Sequence, residues 1–170
     1  MNRWLCAVFI TFALVGLAPQ GAGAEVRQID WEELLPENER GQFSSGAPAP
    51  VHDYLSGESG PAAAQQVSVG VNAQLDGRTV RIPGFIVPLD LDEDSKVIEF
   101  FLVPYFGACI HVPPPPANQI VYVTLEKGVA LDSMYEAYWI TGELSVKDKQ
   151  TRLGAAAYTL AGRQIEVYKY

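Results

Sequence analysis

Histidine and cysteine are nearly missing from this 170-residue chain, which holds two of each. Ligands that scarce exclude a histidine-rich metal trap and any multi-bridge disulfide framework. Basic residues are also few, 12 against 20 acidic ones, for a formal charge of −8. Nucleic acid demands a basic footprint for its phosphates and is therefore not expected as a partner. There is no C-x-x-C redox pair, no glycine-flanked nucleophile elbow and no internal repeat. Past the first 24 residues, no apolar run approaches the roughly 20 residues that a membrane-spanning helix needs.

The one long apolar run opens the chain. Met1-Asn2-Arg3 gives a short positive end, Leu5 to Ala18 is apolar, and Ala22-Gly23-Ala24 fits an A-x-A cleavage site. That pattern predicts a secretory signal peptide over residues 1–24, cut before Glu25. An uncleaved anchor is the alternative, but the run is short for a span. A lipoprotein would carry its cysteine at the cut, and Cys6 sits at the other end. Cleavage removes Arg3 and Cys6, so the mature chain is one charge more negative and keeps a single thiol, Cys109. A lone cysteine in an oxidising space makes no internal disulfide.

Residues 25–66 are expected to form an N-terminal anchor and a loosely ordered linker. Asp30 and Glu33 have the spacing of a capping box, with Trp31, Leu34 and Leu35 as a docking face and Pro36 as a stop. From Gly41 to Gln66 the chain is rich in Gly, Ser, Ala and Pro. Residues 67–170 then read as one all-β domain of short strands and tight turns. Asp76-Gly77 predicts a hairpin joining Val67–Leu75 to Arg78–Leu89. Pro83-Gly84 predicts a bulge or a bend at a barrel corner. Further strands are expected at Lys96–Val103, Gln119–Leu125 and Tyr138–Val146, with a helical turn within Ala130–Ala137. Lys147–Arg152 reads as a charged loop, and Ala156–Leu160 with Gln164–Tyr168 as a terminal hairpin. A glycine and a proline at a mid-strand bend suit a small OB-like β-barrel.

Chemistry concentrates in Leu102 to Val123, LVPYFGACIHVPPPPANQIVYV. Cys109 and His111 are two apart, so in extended backbone their side chains leave on one face. A thiolate beside an imidazole can chelate a borderline metal or form a reactive pair. Pro113, Pro114, Pro115 and Pro116 follow at once and favour a stiff polyproline II arm. Zinc takes three or four ligands, so Cys109 and His111 need help from a carboxylate, a partner or His52, the other histidine. Three other readings stand beside the metal site. Cys109 and His111 can pack as ordinary core groups, since free cysteine is often buried. The arm can dock a partner protein without metal, with Tyr105, Phe106, Tyr135, Tyr138 and Trp139 as candidate aromatic contacts. A thiol enzyme would use Cys109 with His111 as base, yet no third catalytic member or oxyanion hole is visible. Asp90, Asp92 and Asp94 start like a calcium loop, but Ser95 and Phe101 stand where glycine and glutamate belong. They read as a solvated hairpin tip.

The run RIPGFIVPLDLDEDSKVIEFFLVPYFGACIHVPPPPANQIVYV resembles the signature of a bacterial domain-of-unknown-function family. Trp31-x-x-Leu34-x-Pro36 and Tyr138-Trp139-x-x-Gly142 match it too. The resemblance implies an exported OB-like protein or lipoprotein of Gram-negative bacteria, here periplasmic. Some relatives are encoded beside zinc-responsive MacB-like ABC transporters. By that resemblance the chain would be a non-catalytic accessory to an envelope transport system, with zinc as its cofactor. Its partners would be transporter components or another periplasmic protein.

Overall fold

The computed structural model describes residues 25–41, 65, 70–108, 114–131, 133 and 135–169. Six strands form one sheet: β1 (Arg27–Gln28), β2 (Arg78–Leu91), β3 (Val97–Val103), β4 (Val121–Val129), β5 (Ala137–Gln150) and β6 (Ala155–Val167). The order is β1-β2-β3-β4-β6-β5, and β2 also pairs with β5. That extra pairing closes β2 to β6 into a five-stranded barrel of the OB type. β4 and β6 run parallel, and the other barrel neighbours are antiparallel.

Closure depends on how β2 shares its length. Residues Arg78 to Phe85 pair with β5, and from Phe85 onward the strand pairs with β3. The exchange happens beside Pro83-Gly84. A side chain at Gly84 would put its Cβ 2.8 Å from both Leu102 Cγ and the Val103 carbonyl, and 2.9 Å from Trp31 Cζ2. Only glycine lets the strands come this close at the corner. The register is unbroken there, so the pair marks a corner and not a bulge. The shifts in β2 fall later, between Pro88 and Leu91.

Alternation along the strands fills two apolar layers. Val80, Ile82, Phe100, Leu102, Val121, Val123, Ile140, Leu144, Tyr158 and Leu160 form the barrel interior. Val87, Phe101, Val103, Ile120 and Tyr122 form a second buried cluster on the other face of β2, β3 and β4. Burial on both faces is why β3 reads as a near-continuous apolar run.

The N-terminal segment is part of the barrel wall. β1 lies parallel to β2, Ile29 is buried, and Leu34 and Leu35 are buried around a single 3-10 turn. Asp30 Oδ1 accepts from the Glu33 amide at 3.0 Å, while the Glu33 carboxylate pairs with Arg27. Leu34, Asn72 and Tyr158 then lock together in the core. The Tyr158 hydroxyl donates to the Leu34 carbonyl at 2.5 Å and accepts from the Asn72 amide at 2.7 Å.

Several local expectations are corrected. Asp76-Gly77 does not turn a hairpin, because Ala73–Leu75 is a 3-10 turn capped by Asn72. Asp76-Gly77 is tied to β5 instead: Gly77 N–H donates to Leu144 O at 2.8 Å, and Asp76 Oδ1 accepts from Val146 N–H at 2.8 Å. The charged Lys147–Arg152 stretch is mostly strand, since β5 runs to Gln150 with its charges exposed. The reversal is the tighter Thr151–Gly154 turn, where Thr151 N–H donates to Gly154 O at 2.9 Å. The terminal hairpin is also absent, because β6 passes straight through Ala161-Gly162-Arg163. Gly162 faces Gly142 next to a register shift in β5, and a Cβ on Gly142 would meet Ala161 O at 2.3 Å. Those glycines serve a bulge and a close approach, not a turn. The described residues of Ala130–Ala137 hold no helix, and Tyr138 ties that connection down by donating to Ser133 O at 2.9 Å.

Candidate functional site

The site begins where β3 ends. The chain leaves Val103, turns through Pro104 to Gly107, and Ala108 is fully buried in the second cluster. Cys109, His111 and Pro113 lie outside the described residues, as does His52. The chain resumes at Pro114 and makes a 3-10 turn, Ala117–Gln119, before β4.

The far end of the arm is fastened at several points. Pro115 is buried, and its carbonyl accepts from Gln65 Nε2 at 2.9 Å. The same Gln65 carboxamide donates to Ala155 O at 2.7 Å and accepts from Ala155 N–H at 2.8 Å. Asn118 Nδ2 donates to Gly70 O at 2.8 Å. Gln119 Nε2 donates to Trp31 O at 3.0 Å and to Asn118 O at 3.1 Å. Both amide side chains are almost wholly buried, and neither Asn118 Oδ1 nor Gln119 Oε1 has a hydrogen-bond partner among the described residues. Two uncompensated buried acceptors are costly unless water or a ligand reaches them. The sequence signal for this anchor was available: two amides wedged between four prolines and an apolar strand.

The aromatic residues expected to meet a partner divide in two. Phe106 is 47% exposed and stacks on Tyr135, which is 77% exposed, at 5.2 Å between ring centroids. On its other side Phe106 meets the edge of Phe85 at 6.1 Å. Tyr105 turns inward and packs on the second cluster. Pro114 and Pro116 are half-buried. Phe85 was not expected at this surface. Tyr135 is far from Phe106 in sequence and reaches it through the turn that precedes β5.

A polar group sits on the outer face of β3 and β4. Tyr122 shares a side-chain hydrogen bond with Glu99, and Lys149 Nζ lies 4.5 Å from its ring centroid. Burial holds the Tyr122 phenol well above its usual range, and the Glu99 hydrogen bond and charge and the Asp90 charge add to this. Phe101 meets the same ring edge-on at 6.4 Å. In OB barrels this face and the adjoining loops are where ligands bind.

No group of three metal-ligating side chains occurs among the described residues. The acidic turn uses its oxygens internally. Asp92 Oδ1 accepts from the Asp94 and Lys96 amides, both at 2.9 Å, and Lys96 Nζ pairs with Asp94 at 3.0 Å. Among the described residues, no helix is long and apolar enough to cross a membrane.

Nothing among curated proteins matches the chain. A crystal structure of a DUF3299 family protein from Pseudomonas aeruginosa PAO1 superimposes with a TM-score of 0.74. The two are 44% identical, and the match covers 86% of this chain and 98% of that one. Residues 31–167 match the family described as protein of unknown function (DUF3299), and the chain belongs to that family.

Proposed function

We propose that this protein is a non-catalytic periplasmic accessory of an envelope ABC-type transport system, working in zinc homeostasis. The observation that carries the reading is the clamping of the arm. Ala108 is buried on one side of Cys109–Pro113, and Pro115, held by Gln65, is buried on the other. Buried flanks on both sides of residues 109–113 support a site there, and the sequence puts a thiol two residues from an imidazole between them. Cys109 and His111 supply two zinc ligands, and His52 or a partner protein completes the set. Export rests on the N-terminal signal pattern, and the transport link rests on the family resemblance.

The test is genetic. Removing the gene should impair growth under zinc chelation, and the wild-type protein should restore it while Cys109→Ala and His111→Ala do not. Full restoration by both variants would remove the metal from the account.

The exposed stack of Phe106 on Tyr135 favours a second reading, partner docking without metal. Exposed stacked aromatics are typical of interface anchors. A Phe106→Ser/Tyr135→Ser double variant that folds normally but fails to restore growth would favour docking.

A further inference from the structure

β1 and the start of β2 each carry an arginine on the face that turns toward the core. Val80 and Ile82 are fully buried, and Arg78, two residues before Val80, leaves its strand on the same side. Ile29 is buried as well, and Arg27, two residues before it, lies opposite Val80 in the parallel pairing. The two arginines thus stand just beyond the end of the core, and with Gln28, Gln74 and Thr79 they line one cleft of about 670 Å³. Thr79 is half-buried and the rest of the lining is exposed, so solvent reaches the cleft. Arg27 is held by Glu33, which leaves other donors of its fork unused. Arg78 has no carboxylate partner among the described residues. Acids are not scarce, 20 against 12 basic residues, so an unpaired arginine here does not reflect a shortage of partners. Asp76, two residues from Arg78, is tied to β5 through Val146 N–H, and Glu25 is the single acid in the lining.

We infer that this cleft binds a small oxyanion ligand, a polycarboxylate or a phosphate compound, with Arg27 and Arg78 as the pair that holds its charge. A guanidinium meets a carboxylate or a phosphate through parallel N–H donors, and two of them in one cleft suit a ligand with more than one negative charge. Glu33 fixes the first fork before the ligand arrives, and Arg78 is free to close on it. The carboxamides of Gln28 and Gln74 and the hydroxyl of Thr79 offer uncharged donors for the remaining oxygens. The volume falls within the range of about 300–1,000 Å³ common to small-molecule sites. The net negative charge of the chain repels anions at long range, so binding comes from these local contacts and weakens with salt. This site uses neither Cys109 nor His111 and stands or falls apart from the zinc reading.

The experiment is a calorimetric titration of the metal-free mature protein at low ionic strength, with citrate and separately with inorganic phosphate. Wild type is compared with Arg27→Gln, Arg78→Gln and Arg152→Gln. Arg152 is exposed in the Thr151–Gly154 turn, and its variant corrects for the general loss of one positive charge. One-to-one binding is expected in the wild type and in Arg152→Gln, weakened at least about tenfold in Arg27→Gln and Arg78→Gln. Tighter binding of citrate assigns a polycarboxylate, and tighter binding of phosphate assigns a phosphate compound. Arg78 makes no ion pair among the described residues, so its variant keeps the fold and isolates the contact to the ligand. No binding of either anion by the folded wild type, unchanged binding in Arg78→Gln, or an equal loss in Arg152→Gln would overturn the site.

Discussion

The indole N–H of Trp31 donates a 2.7 Å hydrogen bond to the carbonyl of Pro83, at the point where β2 exchanges β5 for β3. The bond fastens the N-terminal segment to the barrel corner, and Gln119 bonds the Trp31 carbonyl from the foot of the proline arm. Anchor, corner and arm are therefore one mechanical unit.

Gly84 should be the least replaceable residue of that unit. Gly84→Ala forces contacts below 3 Å with Leu102, Val103 and Trp31, two of them side chains and one backbone. Overpacking of this kind costs about 1–3 kcal/mol. Urea unfolding should show that loss, together with faster amide exchange at Trp31.

Tyr158→Phe removes one hydroxyl that serves two backbone groups, the Leu34 carbonyl and the Asn72 amide. Asn72 N–H retains a 3.1 Å bond to Leu34 O, so the damage is partial. A loss of about 1–3 kcal/mol is expected, measured as a drop in the urea midpoint at constant slope.

Alkaline stability should report the two buried phenols. Burial raises the folded-state pKa of both Tyr122 and Tyr158 above the ordinary 10.0. The folded state then holds its phenol protons where the unfolded chain releases them. This contribution is complete below pH 10 and is lost as pH rises past it toward the folded-state values. Thermal melts from pH 8 to 11.5 should fall steeply above about 10. Tyr122→Phe should soften that fall, and an unchanged slope in the variant would contradict the assignment.

The barrel was legible because its strands alternate cleanly. Val80, Ile82 and Ile86 point one way from β2, and the Pro83-Gly84 pair in their midst announces a corner. What failed was local punctuation. Asp76-Gly77 and Ala161-Gly162-Arg163 carry turn residues, yet a 3-10 cap and a strand-to-strand close approach claim them. Both depend on contacts with β5, distant in sequence, which turn chemistry alone does not encode. At the site, Phe106 was readable as an exposed aromatic, but its partner Tyr135 and the Gln65 clasp are long-range pairings. Asn118 and Gln119 carried a signal, polar residues in an apolar context, that the prolines and cysteine overshadowed.

The most direct test of the account is calorimetric zinc titration of the mature protein under reducing conditions, wild type beside Cys109→Ala, His111→Ala and His52→Ala. The account predicts one-to-one binding by the wild type, lost in the first two variants and weakened in the third. A folded wild-type protein that takes up no zinc, or binding that survives loss of both Cys109 and His111, would contradict it.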